Sequence, residues 1–132
     1  MTGGITSNED QTARLRKRAE NSPGRPLVML NINRYQSAID FPDGEIYRAY
    51  MAAIQHSVGA VGGSVLWRAE VEGSVVGDLD GFHEVLAVWY PTHDAFLALP
   101  TADGAKEMFR YRRICVETAH IIELSDFSTP SV

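Results

Sequence analysis

The chain has 132 residues, of which 45% are hydrophobic and 22% are charged. This length is typical of one domain with a core of its own. The formal net charge of -5 and the pI of about 5.3 give no broad attraction to polyanions. We therefore expect neither a nucleic-acid partner nor a membrane partner.

The cysteine content and the N-terminus indicate a cytoplasmic protein. Cys115 is the single cysteine, so an internal disulfide cannot form. Met1–Asp10 is polar and lacks the apolar run of a secretion signal. No apolar stretch approaches the roughly 20 residues that cross a bilayer.

The first part of the chain contains few side chains that can bury apolar area. We expect Met1–Pro26 to be a flexible N-terminal arm. A short helix over Asp10–Glu20, capped by Asn8 or Asp10, is compatible with this segment and ends before Pro23. Its basic residues are more typical of a solvated face than of a nucleic-acid arm.

A strand followed by a helix is predicted next. Leu27–Tyr35 is an apolar, β-branched run typical of a strand buried on both faces. Asp43 is in position to cap a helix over Glu45–Ala60. One side of this helix carries apolar residues at helical spacing, which predicts that it packs on a sheet. These residues are Tyr47, Met51, Ile54, Val58 and Val61.

A hairpin and a second helix follow. Strands are predicted over Ser64–Val76 and Phe82–Tyr90, separated by a glycine-rich turn. In the first of these strands, apolar and polar residues alternate, which predicts one wetter face. The apolar set is Val65, Trp67, Ala69 and Val71, and the polar set includes Ser64, Arg68, Glu70 and Glu72.

The rest of the chain completes the pattern. A helix is predicted from Thr92, its cap, to about Arg113, with an interruption at Pro100. Thr118–Leu124 is the predicted last strand. We place the domain at residues 27–125 and a polar tail at residues 126–132.

This order of elements, β-α-β-β-α-β, predicts a ferredoxin-like α+β fold with a four-stranded antiparallel sheet. Two helices cover one face of such a sheet and leave the other face bare. Because no further helix is predicted to cover it, a second copy of the chain is the simplest cover. We therefore expect a homodimer, a dimeric α/β barrel with a cavity between the two sheets.

Several short motifs also resemble one family. The chain is similar to the uncharacterised DUF1330 proteins of the dimeric α/β-barrel superfamily, over the range from Leu27 to Glu123. This resemblance implies the fold and leaves the reaction open, since the superfamily includes cofactor-free monooxygenases, polyketide cyclases, lactone isomerases and haem-binding enzymes. The motifs are LVMLNINR at Leu27–Arg34, YRAYM at Tyr47–Met51, GGSVLWR at Gly62–Arg68, VWYP at Val88–Pro91, and Arg112-Arg113.

Charged residues of the second strand are the first candidates for catalysis. Arg68 and Glu70 occupy alternate positions, so they point to one side, near Asn31 or Asn33 of the first strand. There an arginine can hold an anionic or enolic oxygen while a desolvated carboxylate moves a proton. Such charges more often line the wetter side of a strand or pair at a dimer edge.

Among the histidines, His93 is the one placed best to reach a pocket, and we include it as a catalytic candidate. No two histidines have the spacing of a zinc motif, so we expect no metal and no cofactor. Haem is the alternative. Related barrels bind haem with a helix histidine, a strand tryptophan and an asparagine, for which Trp89, His93 and Asn31 or Asn33 are candidates, although Pro91 breaks the pattern.

Aromatic and basic residues complete the predicted site. We expect the ligand to contact Asn31, Asn33, Tyr50, Trp67, Trp89 and Arg112. Most of the aromatic residues in such a chain belong to the core, and an arginine late in a helix commonly stabilises the helix end. Cys115 has no predicted base partner, so a small buried side chain is the better interpretation than a nucleophile.

The leading hypothesis is a homodimer that binds a small aromatic or polyketide-like molecule between sheet and helices. The activities that this hypothesis covers are those of a cofactor-independent cyclase, isomerase or monooxygenase. One alternative is a non-catalytic ligand-binding or structural dimer module, and the second is a haem-binding enzyme. The sequence contains no phosphate loop, nucleophile elbow or paired-cysteine site that would favour another class.

Overall fold

The computed structural model describes residues 5–126, and its strands and helices follow the predicted ferredoxin-like order after one N-terminal helix. The sheet is open, antiparallel and four-stranded, in the order β2-β3-β1-β4. The helices are α1 (Glu9–Asn21), α2 (Glu45–Ala60), α3 (His93–Leu97) and α4 (Ala105–Cys115). The strands are β1 (Leu27–Tyr35), β2 (Ser64–Glu70), β3 (Glu84–Tyr90) and β4 (Val116–Ser125).

The core lies between one face of the sheet and the helices, and we call this side of the sheet the helix face. Alternate residues of β1, among them Leu27, Met29 and Tyr35, are buried there. The predicted apolar side of α2 packs against them, as its spacing indicated. Each fully buried side chain of this size contributes about 2 kcal/mol through the apolar surface removed from water.

The opposite side of the sheet, which we call the open face, is largely apolar. Directly paired residues of neighbouring strands point to the same side, so the register arranges this face in transverse rows. Trp67 and Ile122 stand at the two ends of one row, and each is 48% exposed. The rows are Ser64, Trp89, Val28 and Leu124; Trp67, Ala87, Leu30 and Ile122; and Ala69, Val85, Ile32 and His120.

The N-terminal segment contains the helix that the sequence allowed. Asn8 caps α1 in a reciprocal arrangement with Gln11. Leu15 of α1 packs against the core on the helix face, so this helix leaves the open face uncovered. The flexibility of the arm stays a prediction, and the tail from residue 127 onward lies outside the described residues.

Two strand predictions needed correction. β2 ends at Glu70 and not at Val76, because the following residues form a loop in which Asp80 accepts a hydrogen bond from the amide of Ser74. An irregularity between Val65 and Trp67 shifts the register. Val65 therefore lies on the helix face and Trp67 on the open face, although simple alternation predicted one side for both.

The helix predictions differ at their ends. Thr92 caps α3 as expected, but α3 stops at Leu97, and Pro100 lies in a short turn of 3-10 helix before α4. Gly44, and not Asp43, is the N-cap of α2. A Cβ at Gly44 would overlap the carbonyl of Ile39, which explains why glycine suits this position. None of the helices in residues 5–126 is long and apolar enough to span a bilayer.

Candidate functional site

A buried carboxylate on the helix face organises the candidate site. Glu84, the first residue of β3, is 2% exposed. Its Oε1 accepts a hydrogen bond of 2.6 Å from the hydroxyl of Tyr35, and its Oε2 accepts one of 2.6 Å from the hydroxyl of Tyr47. The Arg68 guanidinium donates a third, from Nη1 to Oε2 at 3.1 Å. A buried charge needs such partners, since an unpaired one is costly.

The sheet register and the first turn of α2 bring these residues together. Glu84 pairs with Asn33 of β1 on one side and with Glu70 of β2 on the other. Tyr47 reaches the carboxylate from α2, which packs above the sheet. We call the set of Asn33, Tyr35, Tyr47, Arg68 and Glu84 the Glu84 cluster.

The cluster continues on both sides of the carboxylate. Asn33 donates a hydrogen bond from Nδ2 to the Tyr35 hydroxyl at 3.3 Å, while its buried Oδ1 has no partner among the described residues. On the other side, Arg68 also donates to the Tyr47 hydroxyl. The Arg68 side chain is 45% exposed, so it connects the buried carboxylate to solvent.

Burial controls the proton affinity of the cluster. Desolvation raises the pKa of Glu84. The hydrogen bond from Tyr35 and the charge of Arg68 lower this pKa, whereas the charge of Glu70 raises it further. Burial also raises the pKa of Tyr35 far above its usual range, and the neighbouring Glu84 adds to this effect. Tyr35 therefore keeps its proton and acts as a hydrogen-bond donor.

These groups match the chemistry of proton transfer at a carbon next to a carbonyl. A carboxyl group whose pKa lies closer to neutrality is a more effective general acid or base. A hydroxyl donor and a guanidinium can stabilise the oxygen on which negative charge develops. Arg68 and Glu70 do lie at one end of the sheet with Asn33, as the alternation in β2 predicted.

Sequence reasoning missed Glu84 as a member of the candidate site, and it counted Tyr35 and Tyr47 only among the aromatic residues that could line a pocket or the core. Glu84 interrupts the apolar run of the third predicted strand, and a lone acidic residue in such a run is the signal that could have identified it. Its two tyrosine partners are 49 and 37 residues away in the chain, so their proximity follows from the fold.

A second polar contact lies further along α2. Arg112 of α4 donates from Nη1 to the hydroxyl of Tyr50 at 3.1 Å and from Nη2 to the backbone carbonyl of Ile5 at 3.0 Å. Tyr50 is 2% exposed. Burial raises the pKa of Tyr50, and the charge of Arg112 opposes this shift. Two residues predicted to bind a ligand, Tyr50 and Arg112, are thus in direct contact.

The structure does not bring His93 to the Glu84 cluster. His93 follows the far end of β3, roughly 20 Å from Glu84 at the usual rise of a strand. It is 6% exposed, and its Nε2 lies 2.8 Å from Oε2 of Glu123, while Oε1 of the same carboxylate accepts a hydrogen bond from Arg18. His93 therefore lies where α1, α3 and β4 meet.

The remaining predicted ligand contacts are divided between the two faces. Asn31 lies on the helix face and donates to the carbonyl of Met29. Trp67 and Trp89 lie on the open face, away from Asn33 and Tyr50. A single ligand on one face of one protomer cannot contact all of them.

The haem alternative does not fit these positions. Trp89 is on the open face, whereas Asn31 and His93 are on the side of the helices. The Nε2 of His93 is already engaged by Glu123. Within residues 5–126, no three His, Cys, Asp or Glu side chains are grouped so that they could hold a metal ion. These residues therefore do not form a haem site together.

The thiol of Cys115 lies in the core. Cys115 is fully buried, and burial raises the pKa of its thiol to about 11, which agrees with a structural role.

An open depression of about 700 Å³ lies along the start of α4, lined by residues 101–107 and Arg110. It includes no residue of the Glu84 cluster, which is closed by Tyr47 and Arg68.

The strand order and the helices on one face define a ferredoxin-like α+β protein. The chain is similar in structure to the RPA0582 protein of unknown function from Rhodopseudomonas palustris, with a TM-score of 0.78 and 26% identity over 97% of this chain and 100% of that chain. Hydroxynitrile lyase from Passiflora edulis shares the fold, with a TM-score of 0.60 and 16% identity over 81% of this chain and 98% of that chain.

A dimeric ferredoxin-like protein of unknown function from Thermobifida fusca also has this fold. Its TM-score is 0.53 at 9% identity, over 78% of this chain and 92% of that chain. No family model and no curated protein matches the chain. The comparisons therefore establish the fold and leave the activity to be argued from the residues.

Proposed function

We propose that the chain forms a homodimer in which two open faces pack together, as in the dimeric α/β barrels that its motifs resemble. The apolar rows of this face support the proposal, since an exposed apolar surface of this kind marks an interaction site. Two-fold pairing covers the same face on both copies. The Thermobifida fusca neighbour is described as dimeric, which agrees with this assembly.

We further propose that each protomer binds a small organic molecule at the Glu84 cluster and transfers a proton there. One observation carries this proposal: Glu84 is almost fully buried, yet its partner Arg68 is 45% exposed. Movement of Arg68 would open a path from solvent to a carboxylate that is held between two hydroxyl donors. Proton transfer of this kind requires no cofactor.

The proposed reaction begins at a carbon next to a carbonyl. The Glu84 carboxylate removes a proton from this carbon, and the electron pair of the C–H bond forms an enolate. Arg68 and the Tyr47 hydroxyl stabilise the enolate oxygen. Return of the proton to another carbon gives isomerisation, and attack of the enolate on a second carbonyl gives cyclisation. An aromatic or polyketide-like substrate supplies such carbons. In the monooxygenase variant the electron pair of the enolate carbon forms a C–O bond to O2, the peroxide takes up the proton from Glu84, and loss of water from this hydroperoxide leaves a new carbonyl group.

A deuterium-exchange measurement tests the proposal. Benzoylacetone, an aromatic 1,3-diketone, is incubated with the protein in D2O, and exchange at its central carbon is followed by proton NMR. We expect faster exchange with the wild-type chain, and a loss of about a hundredfold in the rate enhancement with Glu84→Gln. Glu117→Gln is the control, because Glu117 is an exposed carboxylate on β4. Equal exchange rates with wild type and Glu84→Gln would overturn the proposal.

A non-catalytic dimer module is the second candidate. The complete hydrogen bonding of Glu84 favours it, since such a network can serve to fix the packing of α2 on the sheet. In this case Arg68→Met and Glu84→Gln change the midpoint of denaturation without any effect on exchange of the probe. The same experiment therefore separates the two candidates.

A further inference from the structure

The contact between Arg112 and the N-terminal segment has the form of a ligand site occupied by the chain itself. Arg112 is half-buried, and none of the ion pairs formed within residues 5–126 includes it. Its two hydrogen bonds go to a tyrosine hydroxyl and to the backbone carbonyl of Ile5. A guanidinium in such surroundings is suited to a carboxylate, with which it forms two charge-assisted hydrogen bonds.

The segment that supplies the carbonyl is weakly attached. We call residues 5–21 the N-terminal cover. Helix α1 has no buried residue, and Ile5 and Leu15 are partly buried against the core. An ion pair from Arg18 to Glu123, at 2.7 Å, also ties it to β4; the Arg18 side chain is 48% exposed and that of Glu123 is 17% exposed. Solvent access to the guanidinium weakens a pair of this kind.

The linker to the sheet allows the cover to move. Gly24 has a φ of +77°, and a Cβ built on it meets nothing within 4 Å. This glycine lies between Pro23 and Pro26, outside α1 and β1. A change of backbone angle here would swing the cover away without breaking a strand or a helix.

Arg112 and the Glu84 cluster belong to one layer of the molecule. Tyr47 and Tyr50, which contact Glu84 and Arg112 respectively, are three positions apart on α2. Residues at this spacing are neighbours on one side of a helix. Because Tyr47 and Tyr50 are 1% and 2% exposed, this side of α2 is closed in the structure, and a molecule that contacts both Glu84 and Arg112 has to displace side chains packed there.

We propose that Arg112 and Tyr50 form a carboxylate-binding subsite, and that the N-terminal cover occupies it until an anionic ligand displaces Ile5. The subsite deepens the proposed function, on which it rests for its substrate: a small carboxylic acid that also carries an enolisable carbonyl group. Arg112 fixes the carboxylate, and the enolisable end lies towards Glu84. Arg112 is thus a binding residue and Glu84 the catalytic residue.

A probe that imitates Ile5 tests the subsite. In 3-methylpentanoate, a carboxylate and a branched alkyl chain take the places of the Ile5 carbonyl and side chain. The probe is titrated into the full chain, and backbone amide shifts in NMR spectra give the dissociation constant. 3-Methylpentanamide has the same shape without the charge, so the difference between the two probes measures recognition of the anion.

The variants have defined expected results. Arg112→Met weakens binding of the acid by about tenfold or more and leaves binding of the amide nearly unchanged. Arg110→Met, on an exposed position of the same helix, is the matched control and leaves both unchanged. Leu15→Ser loosens the cover and strengthens binding of the acid by about three- to tenfold, because the chain competes less well with the probe.

Hydrogen exchange supplies an independent measurement. Saturation with the acid should accelerate amide exchange in α1, since the cover is displaced. Equal binding of acid and amide, equal effects of Arg110→Met and Arg112→Met, or unchanged exchange in α1 would each overturn the subsite. If Arg112→Met does not fold, Tyr50→Phe and Leu15→Ser still test it.

The subsite and the proposed function can fail separately. Glu84→Gln should bind 3-methylpentanoate as the wild type does, because Glu84 does not contact the carboxylate in this arrangement. Binding by Glu84→Gln together with absent deuterium exchange in the wild type would keep the subsite and reject the catalytic proposal. Exchange without any binding of the acid would reject the subsite alone.

Discussion

Glu70 and Glu84 are directly opposite each other on neighbouring strands, on the same side of the sheet, yet Glu70 is exposed and Glu84 is 2% exposed. Like charges at such positions repel each other. The repulsion adds to the effect of burial, so the pKa of Glu84 is raised. Burial and this repulsion together raise the proton affinity of Glu84, a type of shift that acid–base enzymes use.

Removal of the Glu70 charge should lower the pKa of Glu84. In Glu70→Gln the repulsion is lost, while burial and the contacts of Glu84 are kept. We expect the carboxyl carbon of Glu84, followed by 13C NMR, to titrate at lower pH than in the wild type. Glu72→Gln is the matched control, because Glu72 lies beyond the end of β2. A shift of the same size in both variants would contradict the assignment to Glu70.

The raised pKa of Glu84 predicts a pH dependence of stability. The folded chain binds this proton more tightly than the unfolded chain, whose carboxyl has a pKa near 4.5. The resulting stabilisation is complete below pH 4.5 and is lost as the pH rises through the raised pKa. The glutamine in Glu84→Gln does not titrate, so this loss should be absent from its stability curve.

Urea denaturation of wild type and Glu84→Gln from pH 4 to pH 8 measures this difference. The free energy of unfolding of the wild type should fall relative to that of the variant over this range. A difference that is constant with pH would show that Glu84 has an ordinary pKa. Other titrating groups are common to both proteins and cancel in the comparison.

Loss of the Tyr35 hydroxyl should destabilise the fold. Tyr35→Phe leaves one oxygen of a buried carboxylate without its donor, at a cost of about 1–3 kcal/mol in the free energy of unfolding. The pKa of Glu84 should also rise, because the hydrogen bond from Tyr35 lowers it. Tyr90→Phe is the control: Tyr90 is 3% exposed but does not contact Glu84.

A charge on the open face should break the proposed dimer. Ile122→Glu places a carboxylate at the end of the row that contains Trp67. Burial of an unpaired charge costs several kcal/mol, so the dissociation constant should rise by about a hundredfold or more. Light scattering at micromolar concentration measures it. Ile46→Glu, which alters an exposed residue of α2, should leave the mass unchanged.

The fold was predictable because its signals are local. Apolar periodicity identified the four strands and α2, and Thr92 was recognised as a helix cap from its residue type alone. The end of β2 and the irregularity at Val65 depend on pairing with β3, which a single sequence does not reveal. The break after Leu97 was expected from Pro100, but its extent was not.

The candidate site was predictable in part. Strand alternation places Arg68 and Glu70 on one side, and this follows from the backbone alone, whereas their position near Asn33 depends on the register of the sheet. Glu84 is a candidate because of its burial and its contacts with tyrosines that are 49 and 37 residues distant. His93 was named for its chemistry, and the fold directs it to Glu123.

Trp67 and Arg68 are consecutive residues of β2, and they point to opposite sides of the sheet. Among residues 5–126, β2 is an edge strand that pairs with β3 alone. In the proposed dimer the partner protomer covers Trp67, while Arg68, on the other side of β2, closes the Glu84 cluster. We therefore predict that binding of a ligand at the proposed site changes the dissociation constant of the proposed dimer.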